Sequence, residues 1–330
     1  MAGKRKQHYS GIGGQALLEG VMMRNHDMVA CAVRKPTGEI EVEVDEHHPI
    51  GEGTIWTKIP LIRGVLAFID SMIVGFRSIN YSSEIYMEDE ESKKDPEAEK
   101  KENSAVMGIS MVIGVVLGLV LFVYLPLLFT DLLSRSIRSQ AFLSLIEGLI
   151  RIGIFIAYMA VISAMKDMHR MYQYHGAEHK CINCIERGKP LTVQYVAQST
   201  RFHKRCGTSY LFLIMLVSVV LFFFIRVDNR LLRFGLRLLL IPVVAGIAYE
   251  ILRAAGRSDN LFIRIVSAPG IWLQHLTTKE PDTEMIEAGI RSVEAVFDWK
   301  AYLVKEFHYD PAELSHYEKG GFVENDEVSG

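Results

Sequence analysis

Apolar residues gather in four long runs between residues 105 and 253. Ala105–Thr130 carries no charge over roughly 40 Å of helix at 1.5 Å per residue, more than a bilayer core of about 30 Å requires, and Pro126 near its far end is tolerable in a span. Ala141–Met165 is the second run. It contains Glu147 and Arg151 at i, i+4 spacing, a pair that can neutralise itself but is costly in lipid and faces a bundle interior. A structural ion pair and a substrate or ion pathway both fit that spacing. Ser209–Ile225 and Leu231–Leu252 complete four predicted spans. The charges of the last, Arg233, Arg237 and Glu250, fall in its outer turns, where long side chains reach water or headgroups.

Outside those runs the pattern changes. Ser10–Arg24 is glycine-rich and leads into a short apolar stretch. Its Gly11-x-Gly13-x-x-Ala16 touches the dinucleotide-binding pattern, but no strand precedes it and no βαβ unit follows, so close packing or turns are the simpler use of these glycines. Val29–Arg34 and Glu39–Val44 flank a turn-forming Lys35-Pro36-Thr37-Gly38 and predict a β-hairpin, with Ile50–Trp56 as a third strand. Residues 1–60 therefore predict a small soluble β-containing unit. Residues 61–86 have helical periodicity, but Asp70 interrupts uncharged stretches too short to span, which predicts an interfacial, re-entrant or buried amphipathic helix. Residues 87–104 carry mixed charge without apolar periodicity and read as a disordered linker. In residues 254–306, Leu261–Thr278 is interrupted by Pro269-Gly270 and reads as two short interfacial helices, with Trp272 as a headgroup anchor; Asp282 then opens an amphipathic helix to about Trp299. Residues 307–330 read as an unstructured tail. The fold class predicted is a mainly α membrane protein, with four transmembrane helices, a small N-terminal β-containing unit and interfacial helices.

Charge adds orientation. The chain has 330 residues and a formal net charge of -3, too near zero to imply a nucleic-acid partner, and no basic stripe with interleaved aromatics appears. The loop 166–208 carries Lys166, Arg170, Lys180, Arg187, Lys189, Arg201, Lys204 and Arg205, against Arg135 and Arg138 in the preceding turn, which places that loop in the cytoplasm. Arg226 and Arg230 in the next short loop pull the other way. An even span count then leaves both termini cytoplasmic in a multi-pass inner-membrane protein, and the first residues carry Lys4, Arg5 and Lys6 with no apolar stretch of a signal peptide behind them. A homo-oligomer is compatible with such a domain.

The chemistry concentrates in Tyr174-His175-Gly176-Ala177-Glu178-His179-Lys180, which reads H-x-x-E-H. On a helix, i, i+3 and i+4 share a face, so two imidazoles and a carboxylate project together, as a divalent metal and a general base require. The bland alternative is a polar helix end whose histidines are merely hydrogen-bonded. The loop adds Cys181-x-x-Cys184 and His203-x-x-Cys206, from which a soft zinc site could be built; a single C-x-x-C is also consistent with reduced, buried thiols. Four cysteines so unevenly placed make no disulfide framework.

Gly13-Gly14-Gln15-Ala16, Glu19-Gly20-Val21-Met22-Met23-Arg24, Tyr174 to Lys180, Arg205-Cys206-Gly207-Thr208-Ser209, Tyr249-Glu250, Pro269-Gly270-x-Trp272-Leu273-Gln274 and Glu280-Pro281-Asp282 together resemble the YqhQ-type family of bacterial membrane proteins. The resemblance runs from near the start to about Glu287. It implies a metal-dependent enzyme of undefined substrate and points to His175, Glu178, His179, His203, Cys206 and Glu250, with little support for Cys181 and Cys184. The expected site is a divalent metal, zinc for preference, on His175 and His179 with Glu250 as third ligand from the fourth span, His203 and Cys206 as further candidates and Glu178 as general base. Such a site would hydrolyse a membrane peptide or a lipid-linked ester at the cytoplasmic face. A membrane scaffold or assembly factor with a structural metal is the alternative; a transporter using Glu147, Arg151, Arg233 and Arg237 is a third reading, weakened by the lack of visible repeats.

Overall fold

Four strands that alternate between two packing partners open the chain. β1 (Gly13–Leu17), β2 (Gly20–Asn25), β3 (Met28–Arg34) and β4 (Ile40–Glu46) form an antiparallel meander in the order β1-β2-β3-β4. The hairpin across residues 35–39 pairs Arg34 with Ile40, and Gly38 supplies the positive φ its turn needs. The other two strands, β1 and β2, come from the glycine-rich segment, whose Leu18-Glu19 turn pairs Leu17 with Gly20. Ile50–Trp56 does not supply one: Ile55–Thr57 is a short 3-10 turn, and Gly51 and Gly53 with positive φ break any extended run before it. Side chains of Leu17, Met22, Val29, Cys31 and Val33 turn to one face, where Val74 and Ile85 of α1 (Ile62–Met87) cover them. Val21 and Met23 turn to the other and enter the main core. The sheet is thus a layer between helices and not a separate unit.

The described structure, a computed structural model, comprises residues 7–87 and 108–317 apart from 111, 138, 226, 228, 258 and 259. Residues 88–104 of the expected linker and 318–330 of the expected tail lie outside it. The remaining helices are α2 (Gly108–Leu133), α3 (Gln140–Ser163), α4 (Lys166–Glu186), α5 (Val193–Ala197), α6 (Gly207–Phe223), α7 (Arg230–Arg257), α8 (Leu261–Thr277), α9 (Thr283–Val296) and α10 (Trp299–Phe307). The molecule is mainly helical with one small sheet.

Three helices, α2, α3 and α7, are long and apolar enough to cross a membrane. The expected third span, α6, is apolar but has 17 residues, about 26 Å at 1.5 Å per residue, short of a bilayer core. Among the described residues three helices thus qualify by length and composition, and not clearly a fourth. Within α2, Val120–Tyr124 widens to a π turn just before Pro126. Proline cannot donate to the carbonyl four residues back, and Arg151 Nε donates to that carbonyl, Phe122 O, at 2.9 Å. Arg151 also donates to Glu147 at 2.8 Å. The Glu147–Arg151 pair has a third member, because Arg237 of α7 grips both oxygens of Glu147. Arg237 is 3% exposed, so it does not reach water from an outer turn as its place in the sequence suggested.

Leu261–Thr277 is one helix with Pro269 inside it, not two. Tertiary packing overrides the break: a Cβ on Gly270 would stand 2.8 Å from Ser209 Cβ, so this glycine brings α8 against α6. Past Phe307 the chain stays folded to residue 317, with Leu314 on a 3-10 turn buried in the main core. That core joins Tyr174, Ile182 and Ile185 of α4 with Met285, Ile290 and Val293 of α9 and Leu303 of α10. α1 docks on α7 through glycines, since a Cβ on Gly64 would lie 2.8 Å from Tyr249 Cβ and one on Gly246 would lie 2.8 Å from Leu61 O.

Asp70, in the middle of α1, ties that helix to the sheet. It accepts from Arg24 at 2.6 Å, His47 at 2.9 Å and the Ile50 N–H at 3.1 Å. Burial by itself raises the carboxyl, but these donors outweigh it and hold the group below its ordinary value. A depressed folded pKa stabilises above the unfolded carboxylate range and loses that contribution as pH falls through the folded value. Asp70→Asn is therefore expected to cost about 1–3 kcal/mol near neutrality, with the difference from wild type closing as pH is lowered below about 4. Thermal melts of detergent-solubilised protein across that range check it; a difference independent of pH would refute the linkage.

Candidate metal centre

The site is built from one helix and two chain crossings. α4 begins at Lys166, after a break at Ala164-Met165 that ends α3, and its H-x-x-E-H segment is helical as the spacing requires. One crossing is residues 200–206, which lead into α6 with Cys206 at its N-cap; the other is residues 277–281, which follow α8. Gly176 admits the second crossing, because a Cβ there would fall 2.0 Å from Lys279 O. Lys180 reaches over it, donating to Ala197 O at 2.7 Å and pairing with Glu280 at 2.8 Å. Asn183 holds the first crossing by donating to Thr200 O and Phe202 O. Gln274 clamps the same strand of chain: its Oε1 accepts from His203 N at 2.8 Å and its Nε2 donates to His203 O at 2.7 Å and Ser209 Oγ at 2.9 Å.

These crossings set the histidine tautomers. His175 Nδ1 donates to Thr277 O at 2.8 Å and His179 Nδ1 donates to Arg201 O at 2.6 Å, since a carbonyl can only accept. Each ring therefore turns Nε2 inward. His175 Nε2 faces Cys206 Sγ at 3.2 Å, while His179 Nε2 is buried with no hydrogen-bond partner. The two Nε2 atoms and Sγ lie within 4.8 Å of one another. Tetrahedral Zn–N and Zn–S bonds of about 2.0 and 2.3 Å imply ligand separations of roughly 3.5 Å, so this donor set fits a borderline-soft divalent ion such as zinc. Carbonyl acceptors behind both imidazoles supply the outer-shell support that metal-bound histidines use.

Electrostatics suit the same purpose. Burial would raise the Cys206 thiol, but the two imidazoles pull it well below its ordinary value, toward the thiolate that a metal requires. His175 responds in kind: burial lowers it, the facing Cys206 and Glu178 more than compensate, and its pKa rises to about 9. Glu178 is 5% exposed, and desolvation raises its carboxyl despite the neighbouring histidines. Its Oε2 lies 3.8 Å from His175 Nε2. Gly14 of β1 packs directly over it, since a Cβ on Gly14 would meet Glu178 Cγ at 2.7 Å.

The structure brings together His175, Glu178, His179 and Cys206 and leaves the other two expected ligands elsewhere. Glu250 is held by Arg63 of α1, with Nε to Oε1 at 2.7 Å and a second contact to Oε2 at 2.5 Å. Its place in the sequence, where it would end a span beside the metal, is used instead to dock α1. His203 lies next to His179, ring centroids 5.5 Å apart, but its Nε2 turns to Glu186 at 3.7 Å. Burial holds His203 neutral, with a pKa down to about 4. Cys181 and Cys184 are buried thiols; Cys181 packs on Gly289, and Cys184 Sγ donates to Pro190 O at 3.3 Å. Burial raises both, so neither is a ready ligand.

Glu186 is the residue that sequence reasoning missed. Wholly buried, it accepts from Ser10 N at 3.0 Å, Ser10 Oγ at 2.8 Å, Gln7 at 2.8 Å and Arg205 at 2.5 Å. Burial would raise its carboxyl, but the facing His203, Arg205 and the Ser10 N–H keep it far below its ordinary value. A signal existed in its position, seven residues past His179 on the same helical face.

The chain belongs to the family described as "Protein of unknown function (DUF1385)", whose model matches residues 59–299. It is 35% identical over 291 residues to "Uncharacterized protein YqhQ" of Bacillus subtilis (strain 168), covering 85% of this chain and 90% of that protein. No solved structure matches it. The matched span contains the whole cluster and Glu250, and the β-sheet lies before it.

The crossing at Gly176 makes its own prediction. Gly176→Ala should destabilise by about 1–3 kcal/mol through overpacking against a backbone oxygen, whereas Gly153→Ala, with nothing within 4 Å of the new Cβ, should be neutral or slightly stabilising. Melting temperatures of the two variants decide; equal melts would show that the crossing relaxes freely.

Proposed function

We propose that this chain is a multi-pass membrane metalloprotein that holds one divalent ion, zinc, on His175 Nε2, His179 Nε2 and Cys206 Sγ, and that it is a hydrolase acting at the cytoplasmic face. The carrying observation is the buried, unpartnered His179 Nε2 aimed into the same small volume as a second imidazole nitrogen and a thiolate. An orphaned polar atom in a protein interior costs free energy that a metal ligand bond would recover. Bound there, the ion would supply Lewis acidity beside a carboxylate, with three protein ligands as in catalytic zinc sites. Glu178, whose carboxyl is raised by burial, would take a proton from the attacking water and return it to the leaving group. Gly14 and the chain crossings exclude bulk water from that carboxylate.

Placement follows from the helices. α3 ends and α6 begins at the metal cluster, so the cluster sits at one end of the apolar helices. The basic residues of 166–208 support a cytoplasmic position for that end, and counting the short α6 as a fourth span would return both termini there. A membrane peptide or a lipid-linked ester is the substrate such a position could present. Burial of His179 and Cys206, 1% and 4% exposed, favours one other reading: the ion staples α4 to the start of α6 and the protein is a scaffold or assembly factor.

Metal analysis of the purified full chain tests the assignment. About one divalent ion per chain is expected, lost in His175→Ala, His179→Ala and Cys206→Ala and kept in Glu250→Ala and Glu178→Gln; retention in all of the first three would sink the ligand set. Cobalt substitution then separates the readings. A change in the visible spectrum on adding acetohydroxamate reports an open position and supports the hydrolase, whereas an inert spectrum with unfolding on chelation supports the staple.

A further inference from the structure

At the opposite end of the apolar helices from the metal cluster lies a second polar site, a cavity of about 140 Å³. The C-terminal turn of α2, the N-terminal turns of α3 and α7 and the segment after α6 enclose it. Ser144 offers a hydroxyl, Thr130 and Ser134 give their hydroxyl protons to Pro126 O and Asp131 O, and Arg233, Arg237, Glu147 and Asp131 bring charge. Arg233 donates to Asp131 at 2.5 Å, and Arg237 holds Glu147, which Arg151 also holds at 2.8 Å. Arg151 and Arg237 both lie over the Phe222 ring, 5.3 and 5.1 Å from its centroid.

The charge of this network does not close. Three guanidinium groups, which stay protonated at any working pH, stand against two carboxylates among the described residues. The hydrogen bonds do not close either. Arg237, 3% exposed, has a buried Nε–H with no acceptor, and Arg233 has another. A cation left over in an apolar bundle is costly unless an anion meets it. Both orphaned donors belong to residues that line the same cavity, where Ser144 adds a hydroxyl.

We infer that this cavity binds a phosphate monoanion, supplied either by the headgroup of an anionic phospholipid or as free inorganic phosphate. One negative charge would balance the network, and phosphate oxygens suit guanidinium and hydroxyl donors. Leu132, Phe224, Leu231 and Leu232, close in sequence to the lining residues, are exposed apolar side chains and would give a lipid a place for its tails. The site is independent of the metal cluster.

The test uses the full chain in dodecyl maltoside, titrated separately with phosphatidylglycerol, phosphatidylcholine and inorganic phosphate, and read by native mass spectrometry and calorimetry. Binding of one phosphatidylglycerol per chain in preference to phosphatidylcholine supports the lipid source, and binding of inorganic phosphate supports the free anion. Arg233→Gln removes one donor, and Ser144→Phe fills the cavity without touching an ion pair. Each should weaken binding at least about tenfold, the scale of one charge-assisted contact, while His175→Ala at the far end leaves it unchanged. Absence of saturable binding of either probe to wild type, or equal binding by both cavity variants and wild type, overturns the proposal.

Discussion

Everything at the metal cluster depends on two main-chain carbonyls, those of Thr277 and Arg201. They accept the Nδ1 protons of His175 and His179, and that choice of tautomer is what turns both Nε2 atoms toward Cys206. Neither carbonyl would be in place without its own restraint. Gly176 lets residues 277–281 lie against α4 at backbone distance, and Gln274 and Asn183 fasten residues 200–206 from two sides. The seven residues from Tyr174 to Lys180 therefore act as one device. Two offer imidazole nitrogens to the cluster, one is the buried acid, one is small so that chain can cross, and the lysine closes the crossing onto Glu280.

Buried charge organises the molecule at three depths, and each centre is resolved differently. Asp70 and Glu186 are carboxylates with more donors than they need, so they stay ionised and fasten the N-terminal segment and α1 to the rest. The cluster of His175, His179 and Cys206 has lone pairs in excess of protons and suits a cation. The far network of Arg151, Arg233 and Arg237 has cations in excess and suits an anion. The apolar helices between them insulate one centre from the other, because few polar groups intervene to screen or relay charge.

Much of this was legible in the sequence where a local rule governed the outcome. Apolar length marked α2, α3 and α7, turn residues marked the β3–β4 hairpin, and H-x-x-E-H spacing marked a single helical face. Legibility failed where a distant partner decided. Ile50–Trp56 has strand-like residues but glycines with positive φ around them, and the strand it was expected to form came from Gly13–Asn25, whose glycines read as turns. Pro269 read as a break, yet contacts with α6 hold the helix through it. Glu250 shared depth with the histidines on paper, but depth does not fix azimuth, and α1 supplied an arginine that nothing local announced.

The replacement of Glu250 by Cys206 as third member of the cluster changes what the chemistry can be. Zincins of the inverted type use two histidines and a carboxylate, a hard set that leaves the ion strongly acidic. A thiolate donates more charge to the ion and softens it, and it raises the affinity of the site for zinc over magnesium or manganese. Cys206 also differs in mobility. It caps the start of α6, where Thr208 Oγ1 lies 3.0 Å from its sulfur, so its position is tied to the first turn of that helix. Any displacement of α6 along its axis would therefore move the sulfur, while the two histidines stay on α4. An ion held by the three residues would consequently tie the seating of α6 to α4.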